Sequence, residues 1–179
     1  MTIVEKMKQQ TTLSFEVFPP KTEAGLAKLP PVLEELYKWN PSWLSCTYGA
    51  GGSNKGYCLE IVGSIADSGK TQSVTHYTCV HNTKEGIVRD IDEFLAAGVD
   101  HVLALRGDFI PGEDATNGDF DHADGLIRFL RKTYGDRLTI ACSGIPEGHI
   151  ESPNMASDTA FLKRKQDAGA DFIVTQLTF

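Results

Sequence analysis

Six short apolar runs alternate with longer, more polar segments along the chain. They occupy residues 13–17, 43–47, 74–79, 101–105, 138–142 and 172–176. Several of them, such as HVLAL and DFIVT, contain no polar position in their centre, which is typical of parallel strands buried on both faces. The pattern therefore predicts six strands of a parallel sheet.

The segments between these runs are predicted to be helices that cross over the sheet. Asn82-Thr83 offers an N-cap for a helix over 84–97, which Gly98 ends. The first segment, 23–39, is less regular, because Pro30-Pro31 should break or kink a helix there.

The last helix shares its ending with the helix over 84–97. Ser157 offers an N-cap for the segment DTAFLKRKQDA, and Gly169 ends that segment. AAGVDHVLAL (96–105) resembles DAGADFIVTQ (167–176), since each is a helix end, a glycine, an aspartate and then a buried strand. This repeated pattern indicates βα units of roughly 30 to 35 residues, as parallel crossovers require.

Such units build either an open doubly wound sheet or part of a (β/α)₈ barrel. A complete barrel typically needs about 250 residues, and this chain has 179. No linker or shift in composition divides the chain, so residues 1–179 are expected to form a single domain, a partial TIM barrel of about six βα units.

Composition and charge narrow the class of protein. The formal net charge is -7 and the basic residues are scattered, which argues against a nucleic-acid partner. No run approaches the roughly 20 apolar residues of a membrane span, and the N-terminus lacks the apolar region of a signal peptide. The four cysteines form no CxxC pair. A globular protein of the reducing cytoplasm is expected.

Polar residues stand at the end of every predicted strand. The first strand ends at Glu16 and FPPKT, the second runs into TYGAGGS, and the third, SVTHYTC, contains His76. The fourth ends in LRGD, the fifth is followed by SGIPEGH, and the sixth ends at Gln176. Because functional groups collect at the carboxyl ends of parallel strands, these segments are predicted to line one pocket.

Glu16 is the most unusual of these residues, since it lies between Phe15 and Val17 and is followed by Pro19-Pro20. A carboxylate in apolar surroundings is costly unless it is paired, solvated or protonated. Glu16 is therefore either a water-facing residue of an edge strand or an acid held at the mouth of a pocket.

Other motifs are weaker. TYGAGGS does not match the dinucleotide fingerprint, because Asn54 stands where the third glycine would be, and no GK[ST] follows it. A metal site at His76, Cys79 and His81 is not expected, because His76 and Cys79 point to opposite faces of a strand. KRK (163–165) is usually a solvated helix face, of interest only if it meets a diphosphate.

Together these motifs resemble those of the methylenetetrahydrofolate reductases. The similarity rests on SFEVFPPKT, SCTYGAGGS, THYTCV, LALRGD, IPEGH and LKRKQDAGADFIVTQL, in that order, and it spans about Ser14 to Phe179. The chain is most similar to the bacterial flavoprotein type and to the catalytic domain of the larger eukaryotic type.

The resemblance implies a (β/α)₈ barrel that binds FAD at its carboxyl face. In that family NADH or NADPH reduces the flavin, which then passes a hydride to 5,10-methylenetetrahydrofolate in a ping-pong scheme, giving 5-methyltetrahydrofolate for methionine synthesis. A folate substrate, a nicotinamide nucleotide and a homo-oligomer are implied as partners, and the choice between NADH and NADPH stays open.

The resemblance also implies roles for individual residues. Glu16 matches the catalytic general acid that protonates N10 of the folate, a role that a raised pKa would suit. Asp108 matches an aspartate near the flavin N1 side and the pterin, where its charge should lower the flavin reduction potential. Gln176 matches a glutamine that hydrogen-bonds the pterin.

The remaining matches are to residues that bind the cofactors. Thr47 matches a residue beside the nicotinamide, and the others, Asp108 among them, match residues that contact FAD. Arg164 and Lys165 would suit a diphosphate as a cationic pair. The complete set is Thr47, Tyr48, Ala50, His76, Arg106, Gly107, Asp108, Ala123, His149, Asp158, Arg164 and Lys165.

Three positions depart from the family pattern. Ile145 replaces a tyrosine that stacks on the flavin, Phe161 replaces an asparagine, and His122 stands in place of another tyrosine. Two alternatives to a reductase stay open: a non-catalytic family member that binds flavin weakly or not at all, and an open doubly wound sheet that acts as a small-molecule binding module. Flavin absorbance of the purified protein would separate the reductase from both.

Overall fold

The computed structural model describes residues 2–48, 55–108 and 118–178 of the chain. Helices and strands alternate through these ranges after a short N-terminal helix. In chain order they are α1 (Ile3–Gln9), β1 (Ser14–Val17), α2 (Glu23–Leu26), α3 (Leu29–Tyr37), β2 (Trp43–Cys46), α4 (Lys55–Ser68), β3 (Gln72–Thr78), α5 (Lys84–Ala96), β4 (His101–Leu105), α6 (Ala123–Tyr134), β5 (Thr139–Gly144), α7 (Met155–Asp167) and β6 (Phe172–Thr175).

The six strands form one parallel sheet in the order β1-β2-β3-β4-β5-β6. An open doubly wound sheet reverses its strand order at a switch point, and this sheet does not. The doubly wound alternative is therefore wrong, and the topology is that of a barrel wound in one direction.

The sheet is curled, as a contact across its inner face shows. The rings of Trp43 on β2 and Phe172 on β6 meet edge to face with their centroids 6.1 Å apart. These strands are four positions apart, which is about 19 Å in a flat sheet. The six strands therefore form an open part of a barrel, with an inner face that points into a common interior.

Side chains on the two faces of the sheet belong to two separate apolar clusters. The larger cluster lies between the outer face and the helices, and includes Val17, Leu44 and Tyr77. The smaller lies inside the curl, where Ile3 of α1 packs with Val74, Leu103 and Ala141. Ile3 has no exposed surface, so α1 contributes to the interior of the half-barrel.

A capping box explains why α1 forms in so short a segment. The Thr2 side chain accepts from the Glu5 amide, and the Glu5 carboxylate accepts from the Thr2 amide. Two amides of the first turn are satisfied in this way. The apolar pattern of the sequence did not predict this helix.

Helix boundaries follow capping chemistry more closely than the apolar pattern. The N-cap of α7 is Asn154, whose side chain accepts from the Ser157 amide, so the prediction that Ser157 caps this helix is wrong. An asparagine directly before the helix satisfies that amide, and Ser157 lies inside the first turn. The expected interruption of 23–39 is confirmed, and Pro30-Pro31 lie in the first turn of α3, where proline is tolerated.

Two glycines end their helices in the left-handed conformation, as the repeated sequence predicts. Gly98 has a φ of 76° and Gly169 a φ of 114°, values that residues with a Cβ rarely adopt. Within the described ranges, no helix combines the length and apolar character needed to cross a membrane.

Candidate active site at the carboxyl ends of the strands

The curled sheet encloses a small open cavity of about 160 Å³ on its inner face. Alternate residues of β2, β3 and β6 line it, because successive side chains of a strand point to opposite faces. The lining residues are Ser14, Phe15, Glu16, Trp43, Ser45, Val74, His76, Leu103, Phe172 and Val174. Most of this wall is apolar, and the titratable groups in it are Glu16 and His76.

Glu16 projects into this cavity beside His76. Its Oε2 lies 3.5 Å from Nε2 of His76, and the glutamate side chain is 45% exposed whereas the histidine side chain is 8% exposed. Glu16 therefore combines both possibilities, because it lies partly exposed on the edge strand β1 and also lines the cavity.

The neighbours of Glu16 in space differ from its neighbours in sequence. Val17 packs in the cluster on the outer face, and Phe18 is 71% exposed. The cavity wall, including Trp43 and His76, supplies the low-dielectric surroundings instead. Burial there raises the pKa of the Glu16 carboxyl.

Burial acts on His76 in the opposite direction. It lowers the pKa of the imidazole to about 4, because an apolar site disfavours the charged form of each group. At neutral pH His76 is uncharged, so the contact with Glu16 is not an ion pair despite its short distance.

Thr47 and Tyr48 directly follow β2, and their surroundings differ. The Thr47 amide donates to the Val17 carbonyl at 3.1 Å, which holds Thr47 beside the end of β1. The Tyr48 ring is buried against Tyr77 with the centroids 5.1 Å apart, and it belongs to the cluster between sheet and helices. Ala50 lies outside the described residues.

The end of β4 contains Arg106, Gly107 and Asp108. The Arg106 guanidinium donates to both carboxylate oxygens of Glu151, at 2.5 and 3.3 Å. This pairing and the nearby charge of Asp108 raise the pKa of Arg106 and keep it cationic. Asp108 is exposed, and thus accessible to a ligand at this end of the sheet.

The loop after β5 and the helix α7 hold further candidate residues. The Glu151 amide donates to Nδ1 of His149 at 3.1 Å, and Ser152 donates to Asp158 at 2.8 Å. Lys165 donates to the Ser143 carbonyl at 2.8 Å, so its ammonium group lies against the end of β5.

The Arg164 side chain contacts a different neighbour from that of Lys165. Its guanidinium carbon lies 4.9 Å from the centroid of the Phe161 ring, a cation–π contact. Phe161, which departs from the family pattern, therefore holds Arg164 through its ring face.

The remaining candidates lie at the edges of the site. The Gln176 side chain is exposed after β6. The backbone N–H of Gln176 donates to the Gly144 carbonyl at 2.9 Å. Ala123 is buried at the first turn of α6, directly after His122, whose side chain makes no capping hydrogen bond. Ile145 is half-buried at the start of the loop after β5.

The residues of the site that were not predicted from the sequence include Ser45, Trp43 and Glu151. Ser45 and Trp43 pair in register with Glu16 and Ser14, so the two-residue period of β2 could have indicated that they share the inner face with Glu16. Glu151 has no sequence signal, because it is an exposed loop residue paired with Arg106 only through folding.

Fold and site together define a class of protein. It is an α/β protein with a partial, singly wound barrel, in which a carboxyl and a neutral imidazole share a cavity on the inner face of the sheet. The chain belongs to the methylenetetrahydrofolate reductase family, whose model matches residues 2–179.

Curated relatives support this assignment. "Methylenetetrahydrofolate reductase (NADH) 1" of Arabidopsis thaliana is 38% identical over 196 residues, which cover 100% of this chain and 33% of the relative. "5,10-methylenetetrahydrofolate reductase" of Escherichia coli is 30% identical over 174 residues, which cover 97% of this chain and 57% of that protein. The chain thus spans about a third to somewhat more than half of these relatives.

Solved structures of low sequence identity share the fold alone. A phosphonopyruvate hydrolase complex with oxalate and Mg²⁺ superposes with a TM-score of 0.64 at 14% identity, covering 95% of this chain and 59% of the other. A 2,3-dimethylmalate lyase superposes with a TM-score of 0.61 at 15% identity, covering 97% of this chain and 58% of the other.

Proposed function

We propose that this chain is the N-terminal part of a (β/α)₈ catalytic barrel that reduces 5,10-methylenetetrahydrofolate to 5-methyltetrahydrofolate. The electrons come from NADH or NADPH through FAD. The observation that supports this most directly is Glu16, a carboxyl with a raised pKa inside the cavity. Opening the five-membered ring of the substrate needs a proton at nitrogen, and a carboxyl whose pKa is raised is a better donor than an ordinary glutamate.

Three side chains of α7 fit FAD in their charges. Arg164 and Lys165 on α7 are cations suited to a diphosphate, and Asp158 on the same helix can accept a ribose hydroxyl. When bound, FAD would supply the hydride chemistry between nicotinamide and folate. The two substrates take turns at one face of the site in this proposal.

Other residues complete the proposed site. His76, Arg106, Gly107 and Asp108 would contact FAD, and Thr47 would lie beside the nicotinamide. Tyr48 would contribute through its backbone, since its side chain is buried on the other face of the sheet. Ala50, Ala123 and His149 are further flavin contacts. Asp108 and Gln176 bind the pterin.

The nicotinamide specificity stays open between two possibilities. The names of relatives include both "(NADH)", in Arabidopsis thaliana, and "(NADPH)", in Caenorhabditis elegans. Parallel assays with each nucleotide decide between them.

The test separates the two half-reactions in an extended protein, defined as this chain continued by roughly 100 residues of a family member to reach barrel length. Glu16→Gln keeps the shape of the side chain and removes its proton. Reoxidation of the reduced flavin by 5,10-methylenetetrahydrofolate should slow by about 10² to 10⁴, while flavin reduction by NADH or NADPH stays near normal. Anaerobic stopped-flow absorbance measures both rates.

Glu60→Gln is the matched control, because Glu60 is an exposed glutamate on α4 outside the cavity. It should leave both rates unchanged. Equal loss of both half-reactions in Glu16→Gln would mean that Glu16 is structural. An extended protein without flavin absorbance would instead favour the alternative of a family member that binds flavin weakly, to which Ile145, Phe161 and His122 would contribute.

A further inference from the structure

His76 has a buried ring nitrogen that lacks a hydrogen-bond partner among the described residues. Its Nε2 is one of three buried side-chain polar atoms of this kind, all on histidines. The residue as a whole is 7% exposed. A polar atom buried without a hydrogen-bond partner is destabilising, so a partner for Nε2 is expected.

The Glu16 carboxyl is the group placed to satisfy Nε2. Its Oε2 is 3.5 Å away, just beyond the usual hydrogen-bond range of about 2.7 to 3.2 Å. The Glu16 side chain is 45% exposed and can therefore change rotamer at little cost. A shift of a few tenths of an ångström would close the contact.

The protonation states of the two groups decide which one donates. Burial keeps His76 neutral and favours the protonated form of Glu16. An ionised carboxylate only accepts hydrogen bonds, whereas a protonated carboxyl can donate one to the unprotonated nitrogen of a neutral imidazole. When both groups are neutral and the imidazole proton is on Nδ1, the acidic proton lies on Glu16 and Nε2 presents its lone pair to it.

Other groups around the pair do not compete for this proton. Leu103 on β4 and Phe172 and Val174 on β6 present apolar side chains to the cavity, and Ser45 on β2 presents a hydroxyl. Cys46 lies on the outer face of β2, where the hydrogen bond with Cys58 and then burial raise the pKa of its thiol and keep it neutral.

We propose that His76 is a positioning residue for Glu16, whose protonated carboxyl donates its hydrogen bond to the unprotonated Nε2. This arrangement holds the acidic proton on Oε2 until a basic nitrogen of the substrate replaces Nε2 as the acceptor and takes the proton, leaving Glu16 as a carboxylate. The inference rests on the proposed function for its substrate, but the Glu16–His76 hydrogen bond can be tested without it.

The direct test is a difference infrared titration of the carboxyl band that disappears in Glu16→Gln, measured on this chain. His76→Leu removes the acceptor and should lower the pKa of Glu16 by about one unit, the equivalent of one net hydrogen bond. His76→Gln retains an acceptor oxygen and should change this pKa by less than half as much. A pKa that rises or does not move in His76→Leu overturns the proposal, since it would mean that His76 donates to the carboxylate or does not contact it.

His101→Leu is the matched control. His101 is also buried and its Nε2 likewise has no partner among the described residues, but it lies on β4 and its Nδ1 contacts Asp100 at 2.6 Å. It should leave the Glu16 titration unchanged. A similar shift in both variants would show a general effect of removing a buried histidine and would also overturn the proposal.

A kinetic test connects the pair to the reaction. In the extended protein, His76→Leu should slow the folate half-reaction by about tenfold and move its alkaline decline to lower pH by about one unit. His76→Gln should restore most of the rate and the pH profile. If the infrared result holds but no folate is reduced by any variant, the proposed function fails while the Glu16–His76 pair stands.

Discussion

Glu16 shows a conflict between stability and chemistry within one side chain. Its pKa is raised by burial in the cavity, so the folded protein binds the proton more tightly than the unfolded chain does. The folded state is therefore favoured at pH values below the usual pKa of a glutamate, and that advantage is lost as the pH rises through the raised pKa. An acid poised for proton transfer thus lowers stability at neutral pH.

Glu16→Gln should consequently stabilise the extended protein at neutral pH. Glutamine imitates the protonated carboxyl and carries no charge to desolvate. Thermal unfolding should give a higher Tm for the variant than for the parent at pH 7.5, and the difference should shrink towards zero near pH 4. A Tm difference that is independent of pH would contradict this account, because it would not involve titration of Glu16.

Gly107 illustrates a backbone constraint beside the same site. Its φ is 90°, and an added Cβ would lie 2.9 Å from Cβ of Thr78. Gly107→Ala should therefore destabilise the protein by about 1 to 3 kcal/mol, measured by urea unfolding. Gly56→Ala on α4 is the control, since a Cβ added there would meet no atom within 4 Å among the described residues. It should be neutral or stabilising by up to about 1 kcal/mol.

Sequence reasoning identified Glu16 because an acid inside an apolar run is chemically conspicuous. It could not identify His76 as the neighbour of Glu16, since that contact depends on the curl and stagger of three strands. The Arg106–Glu151 pair, 45 positions apart, could likewise not be predicted from the sequence. Pairings between loops depend on the folded arrangement, whereas the alternation of faces along one strand does not.

Two tyrosines form hydrogen bonds between neighbouring elements, one to a buried aspartate and one to an exposed aspartate. Tyr77 of β3 donates to Asp90 of α5 at 2.9 Å, and Asp90 is 3% exposed. Tyr134 of α6 donates to the Val88 carbonyl and to Asp92, both at 3.1 Å. Burial raises the pKa of each phenol, that of Tyr134 to about 12, so both remain donors at neutral pH.

Tyr→Phe substitutions should separate the two contacts. Tyr77→Phe removes a buried hydrogen bond to a carboxylate and should cost about 1.5 to 3 kcal/mol of unfolding free energy. Tyr134→Phe removes a contact to the exposed Asp92 and should cost about 1 kcal/mol or less. Urea unfolding of both variants gives the comparison, and an equal loss would show that burial of the acceptor does not matter here.

The elements themselves were largely predictable. All six strands lie within two residues of the predicted runs, because parallel strands covered on both faces need continuous apolar sequence. α1 was missed, since a seven-residue helix with one buried side chain, Ile3, leaves no periodic pattern. The cap of α7 was misplaced because several residues before the helix can act as caps, and only the backbone geometry chooses Asn154.

The half-barrel has two edge strands in its described part, β1 and β6, each paired on one side only. The outer face next to β6 is also poorly covered, since Ile173 is 41% exposed and Leu177 is 79% exposed. Unpaired backbone groups and exposed apolar side chains both favour association with another chain. A barrel closed by two further βα units, as the proposed function requires, would cover both features.

We therefore expect the 179-residue chain by itself to self-associate, to bind FAD poorly and to have little reductase activity, whereas the extended protein should bind FAD and reduce the folate. Light scattering coupled to size-exclusion chromatography, with flavin absorbance recorded on the same column, measures the first two properties. Ile173→Lys places a charge on the exposed outer face of β6 and should increase the monomeric fraction of the isolated chain. Ala160→Lys adds the same charge at an exposed position of α7 and should have a smaller effect. An isolated chain that elutes as a yellow, active monomer would mean that the six strands close among themselves, because no free edge or open flavin site would then remain for further βα units to complete.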